Sequence, residues 1–382
     1  MPAIKSILHQ FDVDYDRGFL PPKDPLGQLP PEYGAWDELA RDFTAYINAG
    51  VIRDRINQLP LIDSPAFTNQ AELERAMLLL SFFAHAYVHF SPKHNHLPPS
   101  LAIPWVKVAQ ALKRKPILSH SSVVLNNWRK LDPAGPIRTD NLATLCQFHG
   151  GLDESWFYLI TVEIEQVGAK AIPLVLQAIT AIETDDFAQA SRCLEQTNLV
   201  LVDLHDALKK MYEHCAPTTF YHRVRPYLAS FEQINYQGTG LEPQSHHGGS
   251  AAQSSLLQFF DAAFGIEYPN PSTADYLKLM RHHMPFQHAA FLAYVETKTT
   301  LPLAAAKDQR LALEYKKAIK QLTEFRNEHL KIVALYIIKQ AKLDQSSSIG
   351  TGGTNPMVFL KSIRNQTQQA GQQIDPKAHG NS

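Results

Sequence analysis

One histidine, His329, lies on an otherwise apolar helical stripe, where it could bind a ligand as well as pack in the core. The stripe repeats at helical spacing and comprises Leu311, Tyr315, Ala318, Leu322, Phe325, His329, Val333 and Tyr336. An imidazole at such a position either makes a structural hydrogen bond or ligates haem iron, which needs a neutral imidazole on a rigid helix beside an apolar slot. Arg326 lies about one turn earlier, where it could hold a haem propionate. The stripe alone leaves both interpretations open.

A second segment combines aromatic rings with guanidinium groups. It reads Phe-Tyr-His-Arg-Val-Arg-Pro-Tyr over residues 220–227. A guanidinium can bind a carboxylate through two parallel hydrogen bonds, so Arg225 could hold a substrate carboxylate while Phe220 and Tyr221 line an aromatic slot. A surface arginine beside packed aromatic side chains is the simpler alternative, and this segment by itself favours it.

Two glycine-containing runs could approach a ligand closely. Residues 246–255 read His-His-Gly-Gly-Ser-Ala-Ala-Gln-Ser-Ser, and small residues with serine and backbone N–H groups suit either a ligand or close helix packing. We expect His246 and His247 to be exposed to solvent. Residues 350–354 read Gly-Thr-Gly-Gly-Thr. They lack the Lys-Ser/Thr of a phosphate loop and a preceding strand, so they predict a mobile lid rather than a nucleotide site.

Four histidines and three cysteines call for a test of metal binding. His85 and His89 are four residues apart on a predicted helix, and His94 and His96 follow. This spacing could bind zinc, but no cysteine or carboxylate accompanies the cluster, so a structural role is favoured. The cysteines form no CxxC pair. They predict buried free thiols in a reducing compartment, and we expect a cytoplasmic protein.

Helical periodicity dominates the chain, and strand patterns are scarce. Asn69 followed by Glu72 has the spacing of a helix start, and Thr184 could cap a later helix. The predicted helices cover residues 73–90, 121–130, 152–182, 187–211, 274–294 and 304–342. The polar residues 366–382 are expected to form a disordered tail. The pattern predicts an all-α protein.

Composition excludes several partners. The 382 residues carry a formal net charge of −1, so no strong field attracts nucleic acid or an anionic membrane. The most apolar stretch, residues 76–88, is too short to span a bilayer and contains His85. The first residues lack a basic region followed by a long apolar one, so we expect no signal peptide.

Taken in order, several segments resemble the indoleamine 2,3-dioxygenase family, in a bacterial-type member. The most specific is the Gly-Gly-Ser-Ala-Ala-Gln-Ser-Ser run, and the resemblance extends over residues 20–365. The contributing segments are residues 127–133, 156–159, 220–225, 248–255, 280–285, 329–333 and 350–354. The resemblance implies a helical haem protein with a smaller N-terminal domain, residues 1–148, and a larger domain over residues 149–365 that holds haem b.

The resemblance also implies roles for individual residues. His329 would be the proximal ligand of the haem iron, and Asp261 and Arg326 would organise that side and a propionate. Ser250, Gly249 and Ala251 would approach haem and substrate. Phe157 and Phe220 would form the aromatic pocket, Arg225 would bind the substrate carboxylate, and Thr351 would close over the amino-acid end.

Three residues of this pocket differ from the animal members of the family. Thr161 replaces a serine and keeps a hydroxyl, so it joins Ser250 as a catalytic candidate. Tyr221 replaces a second phenylalanine and His120 replaces a tyrosine, which implies a more polar substrate pocket.

The implied reaction adds both atoms of O2 across the indole C2=C3 bond, giving N-formylkynurenine from L-tryptophan, with an electron donor keeping the haem ferrous. The cofactor performs the difficult step, so no catalytic triad is expected. Two alternatives stay open: a monooxygenase or rearranging haem enzyme acting on a tryptophan derivative, and a non-catalytic haem-binding protein.

Overall fold

The computed structural model describes residues 2–345 and 350–374. Helices make up 64 % of the structure and strands 5 %, which confirms the predicted all-α class. The helices of the first half are α1 (Pro2–Gln10), α2 (Gly34–Arg41), α3 (Phe43–Asn48), α4 (Ile52–Asn57), α5 (Gln70–His89), α6 (Pro99–Ala111), α7 (Leu152–Ala169) and α8 (Ala171–Glu183).

The second half contains the longest helices. They are α9 (Phe187–Lys209), α10 (Met211–His214), α11 (Pro217–Thr219), α12 (Ser255–Ala263), α13 (Pro271–Arg281), α14 (Phe286–Lys298), α15 (Leu301–Ala305), α16 (Gln309–Val333), α17 (Lys339–Leu343) and α18 (Pro356–Gln372). Three π-helical segments lie at Ser121–Leu125, Phe220–Val224 and Ala334–Ile338. The last of these joins α16 to α17 without a break.

Within the described residues, five short strands form two small sheets. They are β1 (His96–Leu97), β2 (Trp128–Lys130), β3 (Leu142–Thr144), β4 (Phe231–Tyr236) and β5 (Gln244–His246). β4 lies in the middle of the first sheet, parallel to β1 and antiparallel to β5, and β2 pairs antiparallel with β3. The third strand of the larger sheet, β5, leads directly into the glycine–serine run.

Helix α5 is the buried helix of the N-terminal half. The side chain of Asn69 accepts a hydrogen bond from the backbone N–H of Glu72, 3.1 Å away, which confirms the predicted helix start. Every residue from Arg75 to Val88 is buried, so the apolar stretch of residues 76–88 is core. Within residues 2–345 and 350–374, no helix has the length and apolarity that crossing a membrane requires.

A bundle of α7, α8, α9, α16 and α18 forms the other half of the core. α9 packs against α7, α8 and α16, and α16 packs on its other side against α18. α16 begins where Asp308 accepts a hydrogen bond from the N–H of Leu311 at 2.7 Å. The apolar stripe predicted for this helix is therefore enclosed by neighbouring helices, and the cavity described below opens beside it.

Several predicted helices are interrupted where the backbone loses a hydrogen bond. The predicted helix over residues 152–182 is two helices, because Pro173 has no N–H to donate to Ala169. The predicted helix over residues 274–294 breaks before α14, which Pro285 precedes. Thr184 ends α8 and does not cap α9; Asp186 does so, accepting from the N–H of Gln189 at 2.9 Å.

Residues 121–130 and the chain end also differ from prediction. Only residues 121–125 are helical, because the backbone of Trp128–Lys130 pairs with the strand Leu142–Thr144. Residues 366–372, expected in a disordered tail, continue α18, where Thr367 is fully buried and hydrogen-bonded to Arg326. Residues 375–382 of that predicted tail lie outside the described residues. The division into domains at residues 148 and 149 stays a prediction.

Candidate active site

One cavity collects nearly all the predicted site residues. Its volume is about 280 Å³, whereas a single water needs only about 10–15 Å³ of such space, so it has room for a ligand. Its walls come from α7, α12 and α16 and from the loops of residues 248–254 and 350–354. The predicted residues that line it are His120, Phe157, Thr161, Phe220, Arg225, Gly249, Ser250, Ala251, Asp261, Arg326, His329 and Thr351.

His329 faces this cavity from α16 with Phe325 and Val333 beside it. Burial, with a smaller effect of Arg326, lowers the pKa of His329 to about 4. The imidazole is therefore neutral near pH 7. No hydrogen bond joins its ring to any described residue, so a lone pair on nitrogen is available inside an apolar space. A neutral imidazole on a helix in such a cavity suits a haem iron ligand.

One turn before His329, Arg326 lies in a network of buried polar groups. Its guanidinium pairs with the carboxylate of Asp261 on α12 and also contacts Thr367 on α18. The hydroxyl of Tyr268 donates to the second Asp261 oxygen at 2.7 Å. Burial lowers the pKa of Arg326, but Asp261 and Tyr268 outweigh burial and hold that pKa above its ordinary value. The charge of Arg326 is thus fixed beside the histidine that would hold the iron.

The glycine–serine run is held by a buried amide, which sequence reasoning did not single out. Gln253 is 2 % exposed. Its side-chain oxygen accepts from the N–H of His120 at 3.0 Å and of Ser250 at 3.4 Å, and its nitrogen donates to the carbonyl of Gly248 at 2.9 Å. The hydroxyl of Ser250 accepts from the N–H of Ala252 at 3.3 Å. These bonds fix the loop against the segment that carries His120.

Gly248 is required by the close approach of another backbone. A Cβ at this position would lie 2.2 Å from the carbonyl oxygen of Leu228 and 2.6 Å from the backbone of Ala229. The next residue, Gly249, donates its N–H to the same Leu228 carbonyl at 3.0 Å. The small residues of the run therefore serve close contact with the segment after Arg225.

The loop of residues 350–354 lies over the cavity in a closed arrangement. The hydroxyl of Thr351 donates to the carbonyl of Gly249 at 2.5 Å, and Ser230 donates to the carbonyl of Thr351 at 2.8 Å. His247 Nδ1 and the hydroxyl of Tyr276 donate to the carbonyl of Gly352 at 2.8 and 3.3 Å. Three side chains from distant segments thus hold this loop, and none of the three was predicted to belong to the site.

The prediction that His246 and His247 are exposed is wrong. Both are half-buried, His247 because it bonds the loop of residues 350–354 and His246 because it lies in β5. Burial, with smaller effects of Lys115 and His247, lowers the pKa of His246 to about 4.

Arg225 and the aromatic residues occupy one side of the cavity. The rings of Phe157 and Phe220 are 4.7 Å apart between centroids. Tyr221 does not line the cavity, contrary to its predicted role in substrate binding. It lies beside Arg225, whose guanidinium carbon is 5.0 Å from the centre of the Tyr221 ring. Phe220 lines the cavity, and Tyr221 packs beside Arg225 instead.

Thr161 and His120 face the cavity, and the side chain of each already makes one hydrogen bond within the protein. The hydroxyl of Thr161 donates to the carbonyl of Phe157 at 3.1 Å. The ring of His120 bonds Glu165 through Nε2, with 3.0 Å between Nε2 and Oε1. Glu165, which also lines the cavity, was not among the predicted site residues.

The zinc interpretation of the histidine cluster finds no support in the geometry. His85 Nδ1 donates to the carbonyl of Tyr227 at 2.7 Å, and its Nε2 accepts from the N–H of Leu118 at 3.0 Å. Both ring nitrogens are therefore occupied. The described part of the chain contains no group of three or more His, Cys, Asp and Glu side chains arranged to hold a metal ion.

The three cysteines are buried and unbridged, as predicted. Burial raises the pKa of Cys146 to about 11 and that of Cys215 to about 12. Thiols with such pKa values carry almost no thiolate near pH 7, so they act as packing residues.

Comparison with known proteins extends the match to nearly the entire chain. The family model described as indoleamine 2,3-dioxygenase matches residues 7–370. The chain is 33 % identical to indoleamine 2,3-dioxygenase nanC of Aspergillus nanangensis, covering 97 % of this chain and 98 % of the relative. It is 31 % identical to indoleamine 2,3-dioxygenase 1 of Mus musculus, covering 96 % of each. It is also 31 % identical to 6-hydroxytryptophan 2,3-dioxygenase fscD of Fusarium equiseti, covering 97 % and 99 %.

Proposed function

Because the chain belongs to the indoleamine 2,3-dioxygenase family, it is a haem-dependent dioxygenase that uses O2 on a small indole substrate, and we propose that this substrate is L-tryptophan or a related indoleamine. The proposed product from L-tryptophan is N-formylkynurenine, in which the indole C2=C3 bond has been opened. The proposed reaction would be a step of tryptophan catabolism through the kynurenine pathway. The Fusarium relative is named as a dioxygenase of 6-hydroxytryptophan, a tryptophan with a hydroxyl on its ring. We therefore include tryptophans with small ring substituents in the proposed substrate class.

The observation that carries the proposal is the composition of the cavity. A neutral, unbonded imidazole and a buried arginine–carboxylate pair lie on α16 and α12, while Arg225 and two phenylalanines lie on another side. The first set suits an iron porphyrin, and the second suits an aromatic amino acid. One enclosed space that offers both kinds of contact is what a haem enzyme acting on tryptophan requires.

We propose that the cofactor is haem b, with His329 as the proximal iron ligand. Phe325 and Val333 would contact the macrocycle, and Arg326, anchored by Asp261, would face a propionate. When bound, haem supplies the activation of O2 that the side chains of the protein cannot provide. An electron donor would keep the iron ferrous.

The proposed work of the other residues is to orient the substrate and exclude water. Arg225 would hold the substrate carboxylate bidentately, since a guanidinium stays protonated in proteins and matches that geometry. Phe157 and Phe220 would contact the indole ring. Thr351 would close the loop of residues 350–354 over the amino-acid end, and fixing the substrate in this way lowers the entropic part of the barrier.

Ser250 and Thr161 are proposed to lie beside the reacting bond without acting as strong bases. The Ser250 hydroxyl accepts from Ala252 and the Thr161 hydroxyl donates to Phe157. Each group can contribute one further hydrogen bond to a bound ligand. Gly249 and Ala251 flank Ser250 and would leave room for the substrate. A cytoplasmic location stays a prediction.

The decisive experiment is turnover of L-tryptophan by the haem-loaded, chemically reduced protein under O2. We expect N-formylkynurenine, identified by absorbance and mass, with both added oxygen atoms derived from 18O2. A product carrying one labelled oxygen would favour a monooxygenase. Haem binding without tryptophan binding in isothermal titration would favour a non-catalytic haem protein.

A further inference from the structure

A buried polar pair interrupts the apolar lining of the cavity. His120 and Glu165 line it together with Val123, Val124, Ile160 and Ile164. The side chain of His120 is 6 % exposed and that of Glu165 is 1 % exposed. The proposed dioxygenation needs no acid or base at this place, so the function described above does not account for the pair.

The pair has a defined hydrogen-bond direction. Glu165 Oε1 lies 3.0 Å from His120 Nε2 and also accepts from the hydroxyl of Ser254 at 2.8 Å. With the Glu165 carboxylate as the acceptor, the shared hydrogen belongs to Nε2. In a neutral ring with Nε2–H, Nδ1 carries a lone pair. The carboxylate therefore sets which nitrogen of His120 is left for a ligand.

Nδ1 of His120 is available to the cavity. It has no hydrogen-bond partner among the described residues, and it is not one of the ring nitrogens that the protein encloses completely. The backbone of His120 is also fixed, because its N–H donates to Gln253. The ring is thus held at Nε2 and through its backbone, and its remaining polar atom, Nδ1, belongs to a side chain that lines the cavity beside Val123, Val124 and Ile164.

The pair lies away from the amino-acid end of the proposed substrate. Phe157, Thr161 and Glu165 follow one another at four-residue spacing on one face of α7. Phe157 contacts Phe220 in the segment that carries Arg225, whereas Glu165 lies eight residues further along, about 12 Å at the rise of an α-helix. An amino acid bound through its carboxylate at Arg225 would direct its indole ring toward His120.

We infer that His120, oriented by Glu165, makes the enzyme selective for tryptophans that carry a hydroxyl on the benzene ring of the indole. The inference rests on the proposed function and names its preferred substrate class. A ring hydroxyl can donate to Nδ1 of the neutral imidazole or accept from the imidazolium, so the contact forms in either state. An unsubstituted ring leaves Nδ1 desolvated without a partner, and sites of this kind reject the analogue that lacks the hydroxyl.

The test compares kcat/KM of the haem-loaded protein for L-tryptophan, 5-hydroxy-L-tryptophan and 6-hydroxy-L-tryptophan, with dissociation constants from isothermal titration. We expect the wild-type protein to favour at least one hydroxylated substrate by about tenfold or more, the size of one good hydrogen bond at 1.4 kcal/mol per factor of ten. A wild-type protein that favours L-tryptophan over both hydroxylated substrates overturns the inference without any variant.

Two variants test the roles of the two ring nitrogens of His120 separately. In His120→Asn the side-chain amide can replace Nδ1, and we expect the hydroxyl preference to persist at least in part. In His120→Gln the amide replaces Nε2 and keeps the bond to Glu165, and we expect the ratio of hydroxylated to unsubstituted kcat/KM to fall about tenfold. The exposed His282 provides a control, since His282→Gln should leave the ratio unchanged.

The outcomes distinguish the two levels of the proposal. If the haem-loaded protein forms no kynurenine-type product from any of the three substrates, the proposed function fails. If all three react and both His120 variants lower every kcat/KM equally, the function stands and the selectivity is refuted, because His120 then contacts a group that all three share, such as the indole N–H.

Discussion

The two walls of the cavity are built in opposite ways. The α16 wall, comprising Phe325, Arg326, His329, Ile332 and Val333, belongs to one continuous helix. The loop wall, comprising residues 248–251 and 350–354, consists of two segments held by hydrogen bonds between residues more than 100 positions apart. The first wall obtains its shape from helical periodicity, and the second obtains it from tertiary contacts to backbone carbonyls.

This difference matches the two tasks of the proposed enzyme. A metal ligand must be held rigidly with its tautomer and charge environment fixed, and a packed helix between α9 and α18 supplies that rigidity. A substrate must enter and leave, so the wall that covers it has to open. A loop held by about four hydrogen bonds of modest net strength, about 1 kcal/mol each, can do so without disturbing the core.

The largest effect is expected from removing the ligand of the α16 wall. His329→Ala should lose haem during purification, with the Soret absorbance per protein reduced at least about tenfold, ~1.4 kcal/mol, and activity reduced accordingly. His282→Ala, at an exposed histidine, is the control. Added imidazole should restore part of the Soret band in His329→Gly. Normal haem retention and spectrum in His329→Ala would show that the α16 wall does not hold the iron.

The next effect is expected at Arg225, which stands next to the loop wall, and it concerns substrate binding rather than haem retention. Arg225→Ala should raise KM and the tryptophan dissociation constant about 10- to 100-fold with haem still bound, since hydrogen bonds to a charged group are worth about 1.5–3 kcal/mol. Arg223→Ala, two residues earlier and exposed, is the matched control. Loss of haem from Arg225→Ala would contradict the separation of the two walls, because it would tie Arg225 to the cofactor.

The α16 wall could be predicted from sequence to a large extent. The apolar spacing of residues 311–336 placed His329 beside the core, and one turn of helix placed Arg326 next to it. The same periodicity missed the breaks at Pro173 and Pro285, although proline is itself the signal for such a break.

The loop wall could be predicted only in part. Small residues and glycines marked its two segments, but nothing local indicates that Gln253 binds the backbone of His120, 133 residues away. The same holds for Ser230, His247 and Tyr276, which bond the loop of residues 350–354. A backbone carbonyl can accept a hydrogen bond whatever side chain its residue carries. Such bonds therefore leave no recognisable pattern in a single sequence.

The closure of the loop wall can be weakened at one hydroxyl. Thr351→Ala removes the bond to the Gly249 carbonyl, and we expect kcat/KM to fall about 3- to 10-fold, as a neutral hydrogen bond of about 1 kcal/mol implies. Ser230→Ala should act in the same direction, since Ser230 holds the carbonyl of Thr351. Thr300→Ala, at an exposed threonine, should have no effect. Unchanged kinetics in both loop variants would mean that closure does not depend on these bonds.

The smallest effect is expected at Thr161, which faces both walls from α7. Thr161→Val keeps the shape of the side chain and removes a hydroxyl whose hydrogen already bonds the carbonyl of Phe157. We expect kcat to change by less than about threefold, ~0.6 kcal/mol, in single-turnover measurements with the haem content matched. Thr161→Ser should resemble the wild type, and Thr161→Ala should report the packing contribution of the methyl group. A loss of thirtyfold or more in Thr161→Val, restored in Thr161→Ser, would make this hydroxyl a participant in the reaction. Helix α7 would then supply chemistry as well as orientation.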